Sequence, residues 1–289
     1  MRDASVTEGP PAKLDRSRYE LEVEDTFDAE RLDPSLWIPC YLPQWASRDR
    51  TAARYDVGGG SLRLRIDADQ PPWSPEWNGG IRVSNLQTGV RSGPVGSTSG
   101  QHPFRDDLVV REVQEPRQLY TPLYGLVELT ARAIADPANL VALWMIGVED
   151  EPHRSAEICV MEIFGRDVHP GGVRVGMGIH PFRDPSIRDE FEQVTLPIDA
   201  RERHAYAAEW TPDRIAFYVD EILVKVVAQS PAYPMQVMLN VYEFAADEAL
   251  PSPPSGYPKV FEVSSFRGWR PAAGPGTRPS AFTGRNPGG

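Results

Sequence analysis

Short runs of alternating apolar and polar residues, separated by clusters of Gly, Pro, Asp and Ser, recur along most of the chain. Ser61 to Asp67 alternates strictly, which is the period of a half-buried strand. Gly58-Gly59-Gly60 precedes it as a turn, and Ala52 to Asp56 forms the other arm. The same reading predicts strands over Tyr19 to Phe27, Gly80 to Ser84, Tyr124 to Arg132, Leu140 to Gly147 and Val173 to His180. Further strands follow at His204 to Ile215, Phe217 to Asp220, Pro234 to Tyr242 and Val260 to Arg267. Helical periodicity is nearly absent and there is no internal repeat. Many short strands with abundant turn residues predict an all-β sandwich. One domain is expected over 19–270. The polar segment 1–18 and the Pro/Gly/Ser-rich segment 271–289 are expected to be disordered. Residues 85–116 have a Gly/Ser/Pro-rich middle and predict a long hairpin or flap, a length that is usually functional or disordered.

One predicted strand departs from the pattern. Glu157-Ile158-Cys159-Val160-Met161-Glu162-Ile163-Phe164 carries two carboxylates and a thiol among apolar residues. Buried carboxylates need partners or a cleft. Glu157 and Cys159 are two apart and share a face, but strict alternation sends Glu162 to the opposite one. A one-residue β-bulge near Val160-Met161 resolves the conflict. It turns Glu157, Cys159 and Glu162 to one side and leaves Ile158, Ile163 and one bulge residue for the core. Two neighbouring carboxylates on a cleft face suit acid–base and nucleophilic work on a glycosidic bond.

This stretch resembles the E-x-D-x-x-E signature of glycoside hydrolase family 16, the laminarinase- and lichenase-like β-glucanases. Glu157 and Glu162 match, and Cys159 stands where the family has Asp. The likeness extends over roughly 20–270. It includes "FDAERLDPSLW" at 27–37, "YGLVELTAR" at 124–132, the 204–220 segment and "PMQVMLNVY" at 234–242. It implies a jelly-roll, concanavalin A-like sandwich with an open cleft on a concave sheet. It also implies Glu157 as nucleophile, Glu162 as general acid/base, and a carbohydrate substrate of β-linked glucan type. Trp144 matches a cleft aromatic, and the end of "VRVGMGIH" brings His180 towards the acid/base. Asn240 and Tyr242, on one strand face, are expected to offer a hydrogen bond and a stacking platform. Trp77, in the aromatic loop Pro71 to Gly80, either packs that loop or stacks on a sugar. His102, in the 85–116 loop, is either a cleft residue or a solvated one. His204, Glu209 and Trp210 read as structural. The family's downstream "G-G-x-W" is replaced by Glu243-Phe244-Ala245. The resemblance also implies a structural calcium near an Asp of the last strand, where Ser264 stands.

Net charge of −11 argues against nucleic acid and anionic membrane surfaces, which need basic patches. No run approaches 18 apolar residues, so no membrane-spanning helix is expected. Cys40 and Cys159 permit at most one disulfide. The first twenty residues have no apolar core and do not read as a signal peptide. The expectation is a cytoplasmic protein, or a secreted one if a leader was removed. The Glu pair requires no cofactor. A neutral thiol at 159 removes a charge and a strong acceptor from the site, which keeps two alternatives open. One is an intracellular acid–base enzyme acting on a non-polymeric substrate. The other is a glycan-binding module without turnover.

Overall fold

The computed structural model describes residues 12–244 and 256–272. Two antiparallel sheets form the body. In one, strands run in the order Ile222–Val227, Ile215–Val219, His204–Trp210, Gly125–Arg132, Lys259–Pro271, Leu62–Ile66 and Arg54–Val57, with Tyr19–Asp25 also paired to Lys259–Pro271. In the other, the order is Val168–His169, Gly172–His180, Glu157–Phe164, Asn139–Gly147, Met235–Glu243 and Arg82–Gln87, with Glu192–Leu196 on Gly172–His180. Among the described residues, helix is confined to single short turns and no helix is long and apolar enough to cross a membrane.

Alternation sorts the side chains. Leu62, Leu64 and Ile66 point into the core while Arg63 and Arg65 point away. The strand Asn139–Gly147 is buried on both faces. Val141, Leu143 and Met145 enter the main core between the sheets, and Ala142, Trp144 and Ile146 enter a second apolar cluster on the outer face. That cluster is roofed by loop residues, among them Tyr41, Leu42, Trp45, Trp73, Leu108 and Val110. The roof covers part of the seven-stranded sheet and leaves a cleft over Glu157 and Glu162.

Two expectations change here. Residues 12–18 belong to the fold: Leu14 is buried against Leu126, Ala207 and Trp269, and Asp15 caps the turn Arg16–Arg18. Residues 1–11 and 273–289 lie outside the described residues. The 85–116 segment is not a free hairpin. Its first three residues end the strand Arg82–Gln87, the rest carries the two-residue strand Gly89–Val90, paired to Arg117–Gln118, and it buries Gln101, Leu108, Val110 and Gln114. Its apolar and amide side chains fasten it to the sheet as part of the roof.

Candidate active site

The bulge is present. Leu143 lies opposite Met161 and Trp144 opposite Cys159, which leaves Val160 as the extra residue. On the other side Gly176 faces Glu162 and Gly178 faces Cys159. Both Val160 and Met161 are in the core, one more than the pattern predicts. Glu157, Cys159 and Glu162 are thereby gathered on the cleft side. The Cys159 thiol donates to Glu157 Oε1 at 2.9 Å and lies 3.8 Å from Glu162 Oε1. A single sulfur thus touches both carboxylates and takes the space between them.

Burial dominates the electrostatics. It pushes the Glu157 carboxyl up to about 8, with the neighbouring Glu162 adding to the rise and the thiol hydrogen bond opposing it. Burial also raises Glu162, against the influence of His180 and Cys159. The thiol is driven well above its ordinary range by burial and by both carboxylates, so it is neutral. The pair therefore holds a proton near neutral pH, and its titration belongs to the two carboxyls jointly. Burial raises both members, and the family resemblance casts Glu157 as the nucleophile.

The surrounding cleft, about 230 Å³, is lined by Tyr41, His102, Trp144, Tyr242, Phe244 and the two carboxylates among others. The Trp144 indole donates to Asn240 Oδ1 at 3.0 Å and meets the His102 ring edge-on at 5.1 Å. Tyr242 donates to the Tyr41 hydroxyl at 2.9 Å and leans on Phe244, which stacks on Phe164 at 6.0 Å. These rings make one partly exposed aromatic wall. His102 has a positive φ of 50°, and its backbone N–H donates to the buried Glu149 at 2.5 Å. Burial, with His180 nearby, lowers its imidazole to about 4, so it is neutral. Past His102 a second pocket, about 260 Å³, opens between Phe104, Arg105, Glu149, Phe182 and Arg183. His180 lies opposite Glu157 in the ladder, with Nδ1 bonded to Asp189 at 2.9 Å and its ring stacked on Phe191.

The structure thus brings Glu157, Cys159, Glu162, Trp144, Tyr242 and His102 together, with His180 beside them. Asn240 differs from expectation. It is fully buried: its Oδ1 accepts from the Trp144 indole and positions that ring, while its Nδ2 has no partner among the described residues. Trp77 also differs. It lines a separate pocket with Trp45 and Trp73, under the guanidinium groups of Arg105 and Arg111. The short helix Pro75–Asn78 turns it away from the cleft. Trp73 of the same loop is buried edge-on against Tyr41, so this loop builds the wall by packing. Tyr41, Phe244, Glu149 and Asp189 were not reached by pattern. Of these only Phe244 carried a signal, as the residue replacing the family's "G-G-x-W". His204, Glu209 and Trp210 lie in the other sheet. Ser264 does not fit calcium. It offers one hydroxyl, where calcium takes six or more oxygens and favours carboxylates.

The family model described as "Glycosyl hydrolases family 16" matches residues 118–250. An endo-β-galactosidase from Clostridium perfringens that releases GlcNAcα1-4Gal is similar at 26% identity and a TM-score of 0.72. That match covers 91% of this chain and 65% of the galactosidase, so the chain spans about two thirds of that protein's length. The catalytic domain of an endo-1,3-β-glucanase (laminarinase) from Thermotoga petrophila shares the fold at 18% identity and a TM-score of 0.62, over 88% of this chain and 99% of that one. A laminarinase from a Flavobacterium does so at 17% and 0.60, over 87% and 100%. No curated protein matches the sequence.

Proposed function

We propose that the protein, whose residues 118–250 match the model of glycosyl hydrolases family 16, is a retaining glycosidase of β-linked glycans. The observation that carries this reading is the bulged strand, which sets Glu157 and Glu162 on either side of one sulfur atom in an aromatic cleft. The two carboxylates approach one sulfur, at 2.9 and 3.8 Å, and retention is the outcome that the family resemblance implies for such a pair. Glu157 attacks the anomeric carbon as a carboxylate while Glu162 gives its proton to the departing glycosidic oxygen. Glu162 then takes a proton from water, the hydroxide oxygen attacks the glycosyl ester, and Glu157 leaves as a carboxylate. The cycle needs the pair's proton on Glu162. The thiol hydrogen bond to Glu157 favours that distribution, because a donor stabilises the ionised carboxylate.

Substrate class follows from the wall and the likenesses. Tyr41, Tyr242 and Phe244 present apolar ring faces to a pyranose. The galactosidase likeness puts β-galactosides beside β-glucans as candidates. The test is product release from a panel of β-glucans and β-galactans, with the anomeric configuration of fresh product read by NMR. Wild type is expected to release β-configured reducing ends from at least one glycan. Glu157→Gln and Glu162→Gln are each expected to fall by about 10³-fold or more while glycan binding persists. Binding without turnover by wild type would instead identify a glycan-binding module.

A further inference from the structure

Glu157, Cys159 and His180 each offer one ligand atom, and these atoms lie within 4.8 Å of one another. We propose that these three side chains form a binding site for a zinc-class divalent ion, and that the ion, when bound, blocks the glycosidase centre.

The donor set selects the metal. A thiolate, an imidazole and a carboxylate suit zinc and its borderline-soft neighbours, whereas calcium and magnesium take six or more oxygens. The donors are also held. Glu157 and Cys159 alternate on one strand, and His180 faces Glu157 across the hydrogen-bonded ladder. A tetrahedral ion with ligand bonds of about 2.0–2.3 Å keeps its donors about 3.5 Å apart, so the set has to contract by roughly 1 Å. Side-chain torsions supply that movement without disturbing the ladder.

The outer partner points the same way. Asp189 Oδ2 binds His180 Nδ1 at 2.9 Å, and Phe191 stacks on the ring at 4.7 Å. A carboxylate that fixes one ring nitrogen leaves Nε2 with its lone pair free, which is the arrangement that orients zinc-binding histidines. Access is through the cleft, whose lining includes the Glu157 carboxylate. Three protein ligands leave a fourth position for water or for Glu162, which lies 3.8 Å from the sulfur. Cys40 offers no equivalent. It is buried in a separate apolar cluster with Ile38 and Val90.

The blocking half rests on the glycosidase reading, since an ion on Glu157 removes the nucleophile. The binding half does not, and the two are measured apart. Full-length protein, stripped with a chelator, is titrated with Co²⁺ and followed by the thiolate-to-cobalt absorption in the near ultraviolet. Zn²⁺ is then added to displace the cobalt. The expected result is one ion per chain in wild type and in Cys40→Ser. Cys159→Ser should lose the band, and Asp189→Asn should weaken binding by about 10–100-fold. Circular dichroism of each variant reports whether it is folded. No thiolate band in folded wild type, or a band kept by Cys159→Ser and lost in Cys40→Ser, overturns the site. On any glycan that is cleaved, Zn²⁺ should inhibit and chelator should restore turnover, with inhibition of Cys159→Asp weakened at least tenfold. Full turnover with cobalt or zinc bound would overturn the blocking role. A protein that cleaves no glycan but shows the band defeats the hydrolase reading alone.

Discussion

The thiol at position 159 is the residue on which the chemistry turns. It sits between two carboxylates as a neutral donor, where an Asp would add charge and a second acceptor. A third acid raises the proton affinity of its neighbours and helps hold a proton on Glu162. Cys159→Asp is therefore expected to raise kcat on the best glycan by about tenfold, worth ~1.4 kcal/mol in the barrier. The same change puts another ionisable group into a buried acidic cluster, so the melting temperature should fall. Unchanged or lower turnover would mean that the cleft serves another chemistry. Glu149 makes a second residue-scale case. It is buried under His102, and burial lifts its carboxyl from 4.5 to about 7. Because the folded-state value is the higher one, its contribution to stability is whole below pH 4.5 and is lost as pH rises through 7. Glu149→Gln keeps an acceptor for the His102 N–H and removes the titration. Denaturant unfolding should find the variant more stable than wild type by about 3 kcal/mol at pH 8, and the two equal at pH 4.5 or below. A constant difference across pH would refute the buried-carboxylate account.

At the scale of elements, the bulged strand was legible because its pattern contradicts itself. Two carboxylates five apart among apolar residues fit one face only if an extra residue intervenes, and Val160 is that residue. Trp144, Tyr242 and His180 were legible as parts of strands with clear alternation. Asn240 was placed on the correct face, but its bond to the Trp144 indole depends on the neighbouring strand, which periodicity does not report. Tyr41 meets Tyr242 across 201 residues of sequence, a contact without local signature. Trp77 stays open between packing and stacking in the sequence for the opposite reason: an aromatic loop announces itself, but which pocket each ring fills depends on the loop's own fold. The bulge has a partner that composition did not mark. Gly178, opposite Cys159, has φ of 145°, and an added Cβ would lie 2.3 Å from the Glu190 carbonyl oxygen. Only glycine allows the 188–191 segment to pass so close to this strand. Gly178→Ala is expected to cost about 1–3 kcal/mol in backbone strain alone, with the clash adding to it. By displacing Asp189 and Phe191 it should also free His180. Thermal unfolding and the ring chemical shifts of His180, which stacks on Phe191, read the two effects by calorimetry and NMR, and a variant with wild-type values for both would refute this role for the glycine.

For the whole molecule, the sandwich separates the cleft from what holds the far sheet together, and that separation is testable. Residues 12–18 pack on the outer face of the eight-stranded sheet, away from the Glu pair. Leu14 is buried there, Arg16 pairs with Glu128, and Arg18 reaches Glu209 at 2.8 Å. Both carboxylates are nearly inaccessible, at 6% and 1% of the side chain. Composition made this segment look like a disordered lead-in, since one Leu among charges gives no period. Its order comes from tertiary partners: two acids that the strands Gly125–Arg132 and His204–Trp210 cannot neutralise alone. A chain beginning at Tyr19 leaves Glu209 with Arg214 and Tyr19 but takes the Arg16 cation from Glu128, where Arg267 remains at 3.7 Å. Loss of the Leu14 burial at ~2 kcal/mol and of the cations at about 1 kcal/mol each predicts a deficit of roughly 3–4 kcal/mol. A chain beginning at Ala12 should show none of it. Because the cleft lies on the other sheet, the shorter chain should keep its kcat and KM well below its melting temperature. Denaturant melts of the two truncations, run beside a glycan assay, separate the outcomes. Equal stability would show that the segment merely rests on the sheet. Lost activity in a still-folded protein would show that the two faces of the sandwich are coupled through the core.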